Sequence, residues 1–266
     1  MPDRVVHITP DSLPELIEEF VEGLSSSFCG SSNAPGEASL SWGLGTPGVT
    51  EITKPLPLEV VENKENFEKR KEFFRYCVKL SFTGTGRHGG CFALIDDDGK
   101  MCTYTITLPP NNKALHSPGM CEYTWMVNQL GGWSNMNPAF LEGEEAVRLD
   151  LVERTMQANH KKHAHDPHLF IYYFGTSPDK QGKGHGHILL QHILAAADRM
   201  KVPTYLDCGG ESNEKFWTKH GFHVVERVPM CYVSQEKTKE YGEKTEIAFK
   251  PDGLEGLSAC VRQYDP

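Results

Sequence analysis

The sequence predicts a mixed α/β fold, antiparallel in its front half and closed by a strand–helix–strand crossover at the back. Three observations carry this: a hairpin signal over 91–108, an unbroken apolar and aromatic strand at Leu169 to Thr176, and a Gly-rich turn leading from that strand into an amphipathic helix. The remaining elements fit around these three.

Val5 to Thr9 reads as a first strand. Asp11 or Ser12 then caps a helix, with Glu15 placed for a capping box from Ser12, and Leu13, Leu16, Ile17, Phe20 and Leu24 mark its buried face. Residues 23–50, rich in Gly, Ser and Pro around Trp42, read as a functional or mobile loop. A second amphipathic helix is expected over 62–80 through Phe67, Phe74, Cys77 and Val78. Cys91 to Ile95 and Met101 to Leu108 flank Asp96-Asp97-Asp98-Gly99, where Gly supplies the positive φ of a hairpin turn. The triple Asp lacks the spacing and closing Glu of a calcium loop and reads as a hairpin tip. Residues 109–140 read as irregular, with Tyr123, Trp125, Met126 and Trp133 either lining a pocket or pinning the loop to the core. A helix over 143–163 runs through Ala146, Leu149, Val152 and Met156. After the strand at 169–176, a central one by its continuous apolar character, come a helix from about 184 to 200, a strand Thr204 to Asp207, a short helix about 213–219 and a strand Phe222 to Val228. A last strand is expected over Lys244 to Phe249.

Composition narrows the function classes. The 266 residues hold 27 Lys plus Arg against 36 Asp plus Glu, giving a net charge of −9. An acidic chain argues against a broad nucleic-acid footprint, which needs a basic patch. No apolar run approaches the roughly 18 residues of a membrane helix, and the N-terminus lacks the apolar region of a signal peptide. The eight cysteines include no CxxC pair, and a chain of this size needs no disulfide staples. Reduced thiols in a cytoplasmic protein, monomer or homodimer, are the expectation.

The most informative segment is Phe174-Gly175-Thr176-Ser177-Pro178-Asp179-Lys180-Gln181-Gly182-Lys183-Gly184-His185-Gly186-His187. Glycines there free backbone N–H groups at the positive end of a helix, which suits a pyrophosphate. A Walker loop fails because Gly182-Lys183 is followed by Gly184 rather than Ser or Thr. A dinucleotide fingerprint fails because the third glycine would fall on His187 or Leu189. What fits is Gln-x-x-Gly-x-Gly at 181–186, with Asn213, Phe216 and Lys219-His220-Gly221-Phe222 downstream. In these motifs the chain resembles the GNAT acetyltransferase superfamily, and in their spacing the puromycin acetyltransferase type. The specific resemblance covers residues 169–228; the front half, 1–142, matches in element order alone.

The resemblance implies a single domain over 1–266 with the GNAT acyl-CoA N-acyltransferase fold, a mixed sheet with a splayed pair of strands flanked by helices, and an acetyl-CoA-binding core at about 165–228. It implies acetyl-CoA as cosubstrate. Phe174, Gly175 and Thr176 would meet the thioester through main-chain groups. Gln181, Gly182, Lys183, Gly184, His185, Gly186 and His187 would hold the pyrophosphate, with Asn213 and Phe216 on the downstream motif. An amine would attack directly in a ternary complex, without an enzyme nucleophile. The superfamily's usual acid, a Tyr four residues after the Asn, is Trp217 here. Indole delivers no proton at neutral pH, so another donor, water or none must serve.

Bases to consider are Asp207, Tyr173, His168 and Glu122, with Asp207 preferred for its place at the end of a strand beside the expected gap. Strand alternation puts Tyr172 and Tyr173 on opposite faces. Cys208 could act as a weak acid. The run HKKHAHDPH at 160–168 reads as a metal site or, preferably, as a solvated helix end. The expected acceptor is a small amine held by the loops 23–50 and 109–140, with Trp42, Tyr123, Trp125 and Trp133 lining it. A protein or peptide N-acetyltransferase and a weak acyl-CoA-binding module are the rivals. The acidic surface would draw in cationic amines, and Lys180 and Lys183 would offset it for the anionic CoA.

Overall fold

The computed structural model describes residues 4–32, 34, 36–49, 56–110, 119–164, 167–228 and 257–264. The strand expected at Lys244 to Phe249, Cys231 and His165 lie outside them.

Strands β1 (Arg4–His7), β2 (Cys91–Ile95), β3 (Met101–Leu108), β4 (Leu169–Thr176), β5 (Thr204–Gly209), β6 (His223–Val228) and β7 (Leu257–Arg262) form one sheet in the order β1-β2-β3-β4-β5-β7-β6. All neighbours are antiparallel except β4 and β5. One face carries helices α1 (Pro14–Cys29) and α4 (Lys64–Thr85) across β3 and β4, and α6 (Gly143–His163) across β5, β7 and β6. The other face carries α7 (His185–Met200) and α8 (Glu211–Lys219). Phe20, Leu24, Val78, Phe82, Tyr104 and Ile106 fill the first layer; Leu190, Ile193, Ala197, Trp217 and Phe222 fill the second. Among the described residues, no helix is long and apolar enough to cross a membrane.

Several local expectations need correction. Helix α1 starts at Pro14, whose fixed φ suits a first turn. Ser12 does not build a capping box; its hydroxyl accepts the Thr9 N–H at 3.0 Å in the turn before. Leu13 and Leu16, expected on the buried face, are exposed. The segment 23–50 is not a continuous loop: α1 runs to Cys29, and α2 (Ser39–Gly43) follows, its start held by the Glu37 carboxylate accepting from Ser39 and Leu40 N–H. Helix α3 (Leu58–Glu62) then precedes α4, which Asn63 caps by accepting the Asn66 N–H at 3.0 Å. The stretch 109–140 contains a helix, α5 (Met120–Gln129), and two short 3-10 turns at Trp133–Asn135 and Pro138–Phe140. Its Gly and Asn residues end these elements rather than preventing them. The hairpin falls as expected, with Asp96 closing its tip by accepting from the N–H groups of Asp98 and Lys100. Sequence reading missed β7, which lies between β5 and β6.

Candidate active site

Strands β4 and β5 pair at two positions, Leu169 with Thr204 and Phe170 with Tyr205, and then separate. Beyond that point β4 follows β3 to Thr176, while β5 follows β7 to Gly209. A bulge accompanies the parting. Ile106 faces Tyr173 and Thr107 faces Ile171, so Tyr172 is the extra residue; such an insertion bends and twists its strand.

Hydrogen-bond parity decides what β4 presents to the gap. Ser177 N–H donates to Cys102 O at 2.9 Å, and the Thr105 hydroxyl donates to Tyr173 O at 2.8 Å. Alternate residues of an antiparallel ladder turn their backbone groups to the same side. Phe174 and Thr176 therefore turn theirs into the gap, and Gly175 turns its own toward β3. The Thr176 carbonyl accepts from Gln181 Nε2 at 3.2 Å. Gly175 serves packing instead. A Cβ there would stand 1.9 Å from Ser27 Oγ, so glycine lets α1 press against β4.

The turn after β4 is built for open backbone. Gly182 and Gly184 have φ of 75° and 85°, and a Cβ on either would meet nothing within 4 Å. Gly184 caps α7 without a side chain, leaving the amides of the first turn, from His185 onward, without intrahelical partners. Gly186 sets the helix start against the end of β4, where a Cβ would come 3.4 Å from Thr176 Oγ1. The two lysines are committed locally. Lys183 Nζ donates to Asp179 O at 3.1 Å, and Lys180 is paired with Asp96 at 2.6 Å and Asp98 at 3.4 Å on the hairpin tip. His187 Nδ1 lies 2.8 Å from His220 Nε2.

Downstream, Asn213 Nδ2 donates to Gly209 O at 2.7 Å, tying α8 to the end of β5. Phe216 and Trp217 pack against Phe174, with ring centroids 6.1 and 5.4 Å away. Trp217 is 7% exposed and also meets Phe222 at 5.4 Å, so its indole sits in the core beneath β4.

The opposite wall is made of side chains. Asp207 Oδ1 accepts from Asn159 Nδ2 on α6 and from the Tyr205 hydroxyl, both at 3.0 Å. Its Oδ2 has no hydrogen-bond partner among the described residues. Burial pushes the carboxyl up to about 7 against the opposing effect of those two donors. Cys208 turns to the other face, where contact with Cys260 (3.8 Å between sulfurs) and burial raise its thiol.

Tyr172 and Tyr173 do not alternate. The bulge shifts the phase, and their rings lie 4.7 Å apart on one face. Tyr173 packs on Phe28 at 5.4 Å and hydrogen-bonds with Ser81 and Tyr172, and burial holds its phenol well above the usual range. Tyr172 beside it is 36% exposed.

Other expected residues lie elsewhere. Glu122 is on α5, 3.8 Å from Arg87. His168 is buried, with Nε2 2.7 Å from Nε2 of His160, whose ring stacks on Phe170 at 4.8 Å. The end of α6 is not simply solvated, since Lys162 and His163 both bind Glu226 of β6. Trp42 is buried among α6 side chains, Trp125 lies under Arg87 at 3.9 Å, and Trp133 is exposed beside Tyr123. Burial raises the Tyr123 phenol to about 12.

Sequence reading missed Asn159. The signal was present: Asn159 falls three residues after Met156, at a helical-stripe position otherwise held by apolar residues.

Residues 152–222, which run from within α6 through β4, the turn, α7, β5 and α8, match the model of the acetyltransferase (GNAT) family. The chain has the GNAT fold. Among solved structures it resembles the C-terminal condensation domain of Ebony in complex with beta-alanyl-dopamine (TM-score 0.58, 11% identity, 98% of each chain covered). It also resembles an agmatine N-acetyltransferase (0.54, 12%, 98% of this chain and 99% of that one) and arylalkylamine N-acetyltransferase 2 from Aedes aegypti (0.53, 15%, all of both chains). At these identities the likeness is one of GNAT architecture. It extends to the front half, where sequence showed no more than the order of elements.

Proposed function

We propose that this protein is an acetyl-CoA-dependent N-acetyltransferase acting on a small amine. One observation carries the reading: the gap between β4 and β5 has free main-chain groups on one arm and, on the other, a carboxylate poised near neutrality. The amides of residues 182–187 would hold the pyrophosphate. The pantetheine would lie along Phe174 to Thr176, where a main-chain N–H polarises the thioester carbonyl. Gln181, Asn213 and Phe216 act as supports, fixing the ends of β4 and β5 and the start of α7. The puromycin-type spacing supports this CoA half.

Asp207 is the proposed base. The acceptor arrives as an ammonium and must lose a proton before its nitrogen attacks. Asp207 Oδ2 takes that proton and passes it to water. A C–N bond forms, the C–S bond breaks, and water protonates the departing thiolate. The balance is RNH3+ plus acetyl-S-CoA giving RNH-acetyl, HS-CoA and H+. Tyr173 shapes the cleft on the other arm. The arylalkylamine and agmatine acetyltransferases of like fold support a small-amine acceptor.

Trp217 favours a second reading, an acyl-CoA-binding module with weak turnover, because the usual acid position is filled by buried indole. Calorimetry with acetyl-CoA and a thiol-release assay across small amines and peptides decide between them. Release with small amines supports the enzyme. Binding without release supports the module, and release with peptides alone assigns a protein acceptor.

A further inference from the structure

We infer that Asn159 is a positioning residue for the transfer: from α6 it fixes one oxygen of Asp207, so that the other, Oδ2, receives the proton of the amine. This rests on the acetyltransferase reading and adds to it a residue that acts through Asp207.

Strand β4 last pairs with β5 at Tyr205, so Asp207 stands two residues past the fork. Strand β7 places Ala259 opposite it and brings no polar side chain there. The carboxyl is held instead by two buried donors on one oxygen. Asn159, 2% exposed, donates from Nδ2 to Oδ1 at 3.0 Å. Tyr205, on the same face of β5, donates its hydroxyl to Oδ1 at 3.0 Å. The Tyr205 ring is itself gripped, with His160 at 5.1 Å and Phe170 at 5.3 Å between centroids. Donors converging from a helix and a strand leave the carboxyl little freedom to turn. Oδ2 is buried and, among the described residues, has no hydrogen bond.

The turn of α6 that bears Asn159 is anchored at the root of the gap. His160 follows it, with Nε2 2.7 Å from Nε2 of His168, the residue just before β4, and its ring stacked on Phe170 at 4.8 Å. Two consecutive residues of one helix therefore hold the two arms: Asn159 the β5 arm beyond the fork, His160 the start of β4. That arrangement sets the carboxyl relative to the strand whose main-chain groups turn into the gap. Groups carried on helices and strands keep such a geometry more precisely than groups on loops.

Among the described residues, no charged group pairs with Asp207. Lys162 and His163 of α6 are turned to Glu226. Cys208 and Cys260 lie in the core on the other face of the sheet. The rings of His160 and His168 meet Tyr205, at 5.1 and 6.3 Å. The ionised carboxyl thus depends on two neutral donors. A hydrogen bond to the charged form favours that form, and here burial outweighs both. Without the Asn159 amide, Asp207 would hold its proton to higher pH, and one constraint on its direction would be gone.

The pair can be read without substrate, by NMR on the full chain. In the wild type the Asn159 side-chain NH2 resonances should titrate with the Asp207 carboxyl, with a midpoint of about 7, and should cease to do so in Asp207→Asn. In Asn159→Leu, and in the smaller Asn159→Ala, carbon-13 titration of Asp207 should show its proton held about tenfold more tightly. The rise of kcat/KM with pH should move up with it, leaving kcat/KM about fivefold lower at pH 7. Thr155→Val, one turn earlier on α6, removes a buried hydroxyl that donates to Leu151 O at 2.8 Å and should leave the midpoint in place. Acetyl-CoA affinity measured alongside reports that each variant is folded. Asn159 resonances that ignore pH, a midpoint unchanged in both Asn159 variants, or an equal shift in Thr155→Val overturns the inference. The parent reading fails separately. A shifted midpoint with no thiol release from any amine sinks the enzyme and keeps the Asn159–Asp207 pair; thiol release with one pH profile in the wild type and both Asn159 variants does the reverse.

Discussion

The two walls of the gap are made of different material. The wall formed by β4, the turn and α7 offers backbone: main-chain groups of Phe174 and Thr176, positive-φ glycines at 182 and 184, and uncapped amides. The wall formed by β5 and α6 offers side chains: Asp207 and its holder Asn159. On the proposed function, the backbone wall would meet groups every acyl-CoA shares. A side-chain wall can be rewritten one residue at a time, which is where acceptor choice belongs.

Asp207→Asn should break the side-chain wall most severely, lowering kcat/KM by about 10²–10³ at pH 7. In the wild type, kcat/KM should rise with pH through about 7 as the carboxyl ionises. Stability should move the other way. The folded carboxyl keeps its proton to about 7, whereas an ordinary Asp releases it near 3.8. The folded state therefore binds more protons between those values, and this group's contribution falls as pH rises through the window. Thermal melts at pH 5 and pH 8 should show a smaller drop in Asp207→Asn than in the wild type. Equal slopes would remove Asp207 as the titrating group.

Gly184→Val strikes the backbone wall. A β-branched residue at φ 85° is strained by about 1–2 kcal/mol, and its side chain enters the open space over the turn. Acetyl-CoA affinity should fall about tenfold while amine selectivity is kept. A change in selectivity would mean the walls are not independent. Trp217→Phe comes next, expected to lower stability by about 1–2 kcal/mol through lost packing, measured by denaturant titration. A pH profile of kcat altered by that substitution would give the indole a part in proton transfer. Lys180→Ala is the smallest. Its ammonium is engaged by Asp96 and Asp98, so KM for acetyl-CoA should change by less than about twofold.

What the sequence disclosed follows the same division. The turn at 175–187 was legible because open backbone demands glycine, and glycine at fixed spacing shows in one sequence. Asp207 was expected at the end of its strand, which in the structure runs on to Gly209. Asn159 was hidden, since one polar residue in a helical stripe looks like an interruption until a partner strand stands opposite. The tyrosine pair was misread because Thr107 pairs with Ile171 instead of Tyr172, and a bulge carries no mark in residue types. Helix α5 was obscured by the Pro, Asn and Gly residues around it. Strand β7 was missed, leaving the partner of β5 unidentified.

That partner sets an order of assembly. Strands β5 and β6 are near neighbours in the chain, yet β7 lies between them and pairs with β5 from Thr204 to Gly209. On a growing chain, the arm that bears Asp207 stays a bare sheet edge until residues 257–262 have left the ribosome. At about 5–20 residues per second, the wait from Gly209 lasts several seconds. During it, the turn after β4 is complete while the β5 arm still lacks its partner strand.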